Sequence, residues 1–135
     1  MLNRLNIQNL AIVRSQSIDY GRGLTVLTGE TGAGKSLLLD GLGLILGQRA
    51  DSGLVNSQAK RAEVTAEFDL EQLATAHQWL CAHELDDPDD TYALCIRRSL
   101  TNDGRSKAYV NNRPVTLQDL RSLSEHLISL QGQHA

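Results

Sequence analysis

Cysteine is scarce in this chain. Cys81 and Cys95 are the only two, they form no CxxC pair, and no histidine stands at a companion spacing. The four histidines, His77, His83, His126 and His134, show no metal-ligand spacing either. Buried thiols of a reducing cytosol are therefore favoured over a disulfide or a metal site. No apolar run reaches the roughly 18 residues of a membrane span. Met1-Leu2-Asn3-Arg4 opens no signal peptide, so the expected location is the cytoplasm, nucleoid included, with no membrane partner. Positive charge is also in short supply: 13 Lys and Arg against 16 Asp and Glu give a net charge of −3. That excludes a uniformly basic nucleic-acid binder and leaves room for a local basic face. Aromatic residues make up 4% of the chain and do not interleave with its basic residues, and no repeat or low-complexity segment is visible.

What remains is an ordinary globular composition, 41% hydrophobic and 21% charged. The 135 residues are read as one domain, 1–135, long enough to bury roughly two thirds of the unfolded surface.

The most informative stretch is Thr28 to Ser36, Thr-Gly-Glu-Thr-Gly-Ala-Gly-Lys-Ser. From Gly29 it fits the P-loop pattern: Gly, four residues, then Gly-Lys-Ser. Glycines at 29, 32 and 34 let the backbone curl so that several N–H groups converge on one anion. Lys35 brings a mobile positive charge to the β- and γ-phosphates, and the Ser36 hydroxyl is a hard oxygen ligand for Mg²⁺. Leu24 to Thr28 is a β-rich apolar run before the loop. After it comes an apolar helix, opening near Lys35 and ending at Gly47, a C-cap residue. Gly29, Glu30, Thr31, Gly32, Ala33, Gly34, Lys35 and Ser36 are the candidate nucleotide-binding residues, for ATP with Mg²⁺. Glu30 is assigned to bracing the loop, because a catalytic carboxylate there would sit against phosphate charge.

Several short strands precede the loop: Leu2 to Gln8, Ala11 to Val13 and Ser17 to Tyr20, then a turn at Gly21-Arg22-Gly23. After the apolar helix, Gln48 to Lys60 reads as a loop, Val64 to Phe68 as a strand and Leu70 to His83 as a helix with Trp79 packing inward. The acidic run Glu84 to Asp90 reads as a solvated loop, since the spacing and central glycine of an EF-hand are absent. Leu94 to Leu100 and Ser106 to Val110 form a hairpin around Asp103-Gly104, and Asn111 to Pro114 forms a second turn. Thr116 to Asp119 resembles a capping box before an apolar stripe of Leu117, Leu120, Leu123 and Leu127, and the chain closes on a strand-like Ile128-Ser129-Leu130.

Met1 to Val13, Val26 to Ser36, Asp40 to Asp51, Arg97 to Thr116 and the closing Gly-Gln-His-Ala together resemble the start of the bacterial RecN family of DNA repair ATPases. That family is SMC-like, and the resemblance implies an α/β fold: the N-terminal lobe of an ABC-type ATPase head with a β-rich lead-in. It also implies a coiled coil and a C-terminal lobe with the signature motif, Walker B aspartate and catalytic glutamate, none of which can be located in these residues. In such heads a glutamine at a strand end contacts Mg²⁺ and the attacking water. Gln131 and Gln133 are the two candidates for this role, in alternative registers.

The resemblance implies ATP hydrolysis by a complete head in recombinational repair of DNA double-strand breaks, with a C-terminal lobe, a second head and DNA as partners. This chain alone is expected to bind rather than hydrolyse. The alternatives are a nucleotide-binding module without turnover and an unrelated small P-loop kinase, the latter disfavoured because no lid-like arginine segment or acceptor site is evident. Arg97, Arg105 and Lys107 on the hairpin are candidate contacts to DNA phosphate, with Arg98 and Arg113 nearby. Strand alternation puts Arg97 and Arg98 on opposite faces.

Overall fold

The structure, a computed structural model, describes residues 2–10, 13–19, 32–55 and 58–132. The expected strand Leu24 to Thr28 and the turn Gly21 to Gly23 lie outside the described residues. The backbone forms strands β1 (Leu2–Leu10), β2 (Val13–Asp19), β3 (Arg61–Asp69), β4 (Ala93–Thr101), β5 (Ser106–Val110) and β6 (Arg113–Val115), with helices α1 (Gly32–Ile45), α2 (Ala74–Ala82) and α3 (Leu117–Gly132). The six strands make one sheet in the order β2-β1-β3-β4-β5-β6, and every pair is antiparallel.

Alternation sorts the two faces of this sheet. Leu5, Ile7, Val64, Ala66, Leu94, Ile96, Leu100, Ala108 and Val110 are buried in the core. Between them Asn6, Thr65, Arg97 and Tyr109 occupy successive paired positions on the other face. Two turns set the register of the last three strands. Gly104, at φ +93°, completes the Asp-Gly turn of β4–β5. Asn111 and Asn112, at φ 48° and 69°, are the two central residues between β5 and β6, the left-handed pair a two-residue hairpin demands and asparagine tolerates.

The helices stack on the core face. α2 begins at Ala74, later than the apolar spacing from Leu70 suggests, because Asp69 turns the chain by accepting from the Glu71 N–H at 2.9 Å. Ala76, Trp79 and Leu80 are its buried face, and the Trp79 indole donates to Ser122 Oγ at 3.0 Å, joining α2 to α3. Thr116 Oγ1 accepts from the Asp119 N–H at 3.0 Å and caps α3 as expected. Leu120, Leu123 and Leu127 of α3 are buried. The strand expected at Ile128-Ser129-Leu130 is not formed: α3 runs through these residues to Gly132. The leucine spacing 120, 123, 127, 130 continues one helical face, and this longer period prevails over a three-residue alternation.

Candidate nucleotide site and basic face

Gly32, Ala33, Gly34, Lys35 and Ser36 are the first five residues of α1, so the helix opens three residues earlier than the sequence suggests. Gly29, Glu30 and Thr31 lie outside the described residues. The first four N–H groups of a helix have no partner within it, and the dipole makes that end positive. No acidic residue occupies the first turn of α1, so no carboxylate there competes with a phosphate for those donors. The helix start thus fits the triphosphate and Mg²⁺ that the motif implies. Lys35 would neutralise phosphate charge and Ser36 would supply an oxygen to the metal.

A phosphate site is only as well placed as its helix, and α1 is held along its length. Leu38, Leu44 and Ile45 are buried, each contributing about 1.5–3 kcal/mol by removal from water. Gly41 lets the helix approach β1 and β3 closely, because a Cβ there would stand 3.0 Å from Ile7 Cδ1 and 3.7 Å from Val64 Cγ1. Two residues past the end of α1, Gly47 takes φ +96° as the glycine that closes a helix should.

Two arginines grip this end. Arg98, fully buried on β4, donates from Nη1 to the carbonyl oxygens of Leu44 at 2.8 Å and Gln48 at 2.9 Å, and from Nη2 to Ser106 Oγ at 3.2 Å. Arg121 of α3 donates from Nε to the Gly47 carbonyl at 2.9 Å. Burial first, and the neighbouring Arg121 second, push the Arg98 guanidinium below its usual range, yet an arginine remains charged at neutral pH. Both cations meet carbonyls at the helix C-terminus, where the dipole is negative; that of Leu44 also accepts the Gly47 N–H at 3.2 Å. The sequence puts Arg98 on the face opposite Arg97 and groups it with the cations near the hairpin that could meet phosphate; its interior role, like that of Arg121, emerges only from the fold. A cation at a core-facing strand position was the available signal.

The DNA candidates lie elsewhere. Arg97 points to the outer sheet face, where its guanidinium lies 4.1 Å from the Tyr109 ring centroid and 3.4 Å from Glu63 Oε2. Together with Arg61, Ser99, Thr101, Arg105, Lys107 and Tyr109 it lines an open groove of about 250 Å³. Arg105 is exposed in the turn, 3.7 Å from Asp103, whose carboxyl is held low chiefly by the Thr101 hydroxyl and then by the Arg105 N–H. The structure therefore brings Arg97, Arg105 and Lys107 to one groove and adds Arg61. It also corrects the expectation that no aromatic accompanies the basic residues, because cross-strand pairing seats Tyr109 beside Arg97. Arg113 belongs to another contact, donating to the Glu84 carbonyl.

Gln131 falls in the last turn of α3, in a helix rather than at a strand end, and Gln133 lies outside the described residues. Among the described residues no group of three His, Cys, Asp or Glu could hold a metal ion, and no helix is long and apolar enough to cross a membrane.

Residues 4–132 match the family model described as an AAA domain. A DNA repair protein RecN from Haemophilus influenzae is 45% identical over 135 residues, covering 100% of this chain and 24% of that protein. A RecN from Xylella fastidiosa is 48% identical over 134 residues, covering 99% of this chain and 24% of its own length. The chain thus spans about a quarter of the curated relatives it matches. Among solved structures, one described by ATP-driven dimerization and DNA-stimulated activation of SMC ATPases superposes with a TM-score of 0.71 at 23% identity, covering 94% of this chain and 79% of that one. The fold is that of an ABC-type P-loop ATPase head.

Proposed function

The chain belongs to the AAA domain family and is RecN-like, and we propose that it is the ATP-binding N-terminal lobe of an SMC-type head that acts in recombinational repair of DNA double-strand breaks. The observation carrying this reading is a helix that starts inside Gly-Ala-Gly-Lys-Ser and is clamped at its far end against the sheet. Such a helix start offers unpaired backbone N–H groups in the same turn that carries Lys35 in the sequence, and phosphoryl transfer depends on positioning and on charge neutralisation. Mg²⁺, held through the Ser36 hydroxyl, would supply further charge neutralisation.

A complete head brings its general base and opposing signature residues from a C-terminal lobe and a second head, the relationship suggested by ATP-driven dimerization in the SMC neighbours. DNA is the proposed partner of the outer groove around Arg97, Arg105 and Lys107, and the bacterial cytoplasm the proposed location. Titration calorimetry of MgATP on the chain and its Lys35→Ala variant tests the nucleotide assignment. A charge-assisted phosphate contact is worth about 1.5–3 kcal/mol, or roughly ten- to a hundredfold in affinity. Equal affinities with equal melting points would refute the site.

A further inference from the structure

The strand β4 buries a whole guanidinium where its neighbours on that face are leucine and isoleucine. Arg98 is fully buried, its recorded partners are all neutral oxygens, and its Nε has none among the described residues. Replacing a buried charge by an apolar side chain of similar size is often neutral or stabilising, so fold stability alone gives weak reason for an arginine here. Its contacts give a better one. One nitrogen bridges the Leu44 and Gln48 carbonyls, on either side of the point where α1 ends, and the other is anchored through Ser106 to β5. The helix is thereby fixed, at the end remote from Lys35, to the β4–β5 hairpin. An apolar side chain could fill the same space while leaving α1 free to slide or turn on its greasy face.

We propose that Arg98 is a positioning residue for the nucleotide site: it sets the seat of α1 on the sheet and so aims the phosphate-binding end of the helix. This rests on the nucleotide reading above. Misaiming the helix end should weaken about one charge-assisted phosphate contact, and the expected result is a loss of about tenfold in affinity.

The test compares MgATP affinity by calorimetry with thermal stability for the chain, Arg98→Met, Arg98→Lys and Lys35→Ala. Arg98→Met keeps the volume and removes both carbonyl contacts. It should bind MgATP about tenfold more weakly with a melting temperature at or above the parent's. Arg98→Lys, which keeps the charge and one carbonyl contact, should recover part of the loss. An unchanged affinity in Arg98→Met alongside a weakened Lys35→Ala overturns the proposal. So does a loss of affinity in Arg98→Met that is matched by a fall in melting temperature. If Lys35→Ala also binds normally, the nucleotide reading itself has failed and the proposal falls with it. Should Arg98→Met not fold, Arg98→Lys is judged by the same affinity and stability criteria.

Discussion

Arg97 and Arg98 are consecutive on β4 and serve opposite sides of the sheet. Arg97 stacks on Tyr109 and pairs with Glu63 on the outer face, while Arg98 is buried against the end of α1. Two side chains of the same charge thus have separate chemistries because a strand alternates. One is available to an external polyanion. The other is committed to the interior.

The outer face yields the first prediction. Removing Arg97, Arg105 and Lys107 singly should weaken DNA binding and flatten its dependence on salt, each lost phosphate contact lowering the slope by about one. Arg97 and Arg105 should each lose less than a full contact, since Glu63 at 3.4 Å and Asp103 at 3.7 Å already lie beside them. Affinities measured across a salt series would show this. An unchanged slope in all three variants would return the residues to a solvated face.

A second prediction concerns the end of α1. Gly47 sits at φ +96°, and a Cβ added there would stand 2.6 Å from Arg121 Cγ and 3.2 Å from the Arg121 backbone nitrogen. Gly47→Ala is expected to destabilise the fold by about 1–3 kcal/mol from the left-handed backbone alone. Contact with Arg121 would add to this. Urea unfolding of the two proteins measures the difference, and coincident midpoints would show that α1 does not depend on this cap.

Much of this architecture was legible in the sequence, for a physical reason in each case. Asp103-Gly104 and Asn111-Asn112 supply the backbone conformations that tight turns need, so the first hairpin and the second turn could be read from local residues, though the short strand β6 was not. Thr116 announced α3 because its hydroxyl is matched to an unpaired N–H three residues on. What local chemistry could not give was long-range pairing. Tyr109 meets Arg97 only through the β4–β5 register, and Arg98 finds the Leu44 carbonyl across 54 positions of chain. The helical end of α3 was missed because three alternating residues were weighed without the leucine spacing before them.

The third prediction is one of pH. Burial raises the Cys95 thiol above its ordinary range, Glu67 across the strand raises it further, Arg97 opposes, and Glu63 adds a smaller rise. The folded state therefore holds this proton more tightly than the unfolded state does. The resulting stability is complete below the unfolded thiol's pKa, about 8.5, and is lost as pH rises from there through the higher folded value. Cys95→Ala should make the alkaline decline in urea midpoint shallower between about pH 7 and about pH 10. An identical decline in the two proteins would assign that loss to other groups.

The last prediction is that these 135 residues bind MgATP but scarcely hydrolyse it. Binding groups are contiguous along the start of α1, so they come together with the helix. Turnover further requires a held water, a base and charge stabilisation beyond the γ-phosphate. Glu63 and Glu67 are poorly placed to be that base: Glu63 lies on the outer sheet face paired with Arg97, and Glu67 is exposed one strand over from Cys95, whereas α1 packs on the inner face. Gln131 can orient water but cannot accept its proton strongly, and it stands in the last turn of α3. Loss of general-base help alone costs about 10²–10⁴-fold. Phosphate release should therefore stay near background for the chain alone and rise when the remainder of a RecN-like head is added. Robust turnover by the chain alone, abolished by Lys35→Ala, would place a catalytic carboxylate within these residues and overturn the division of labour between lobes.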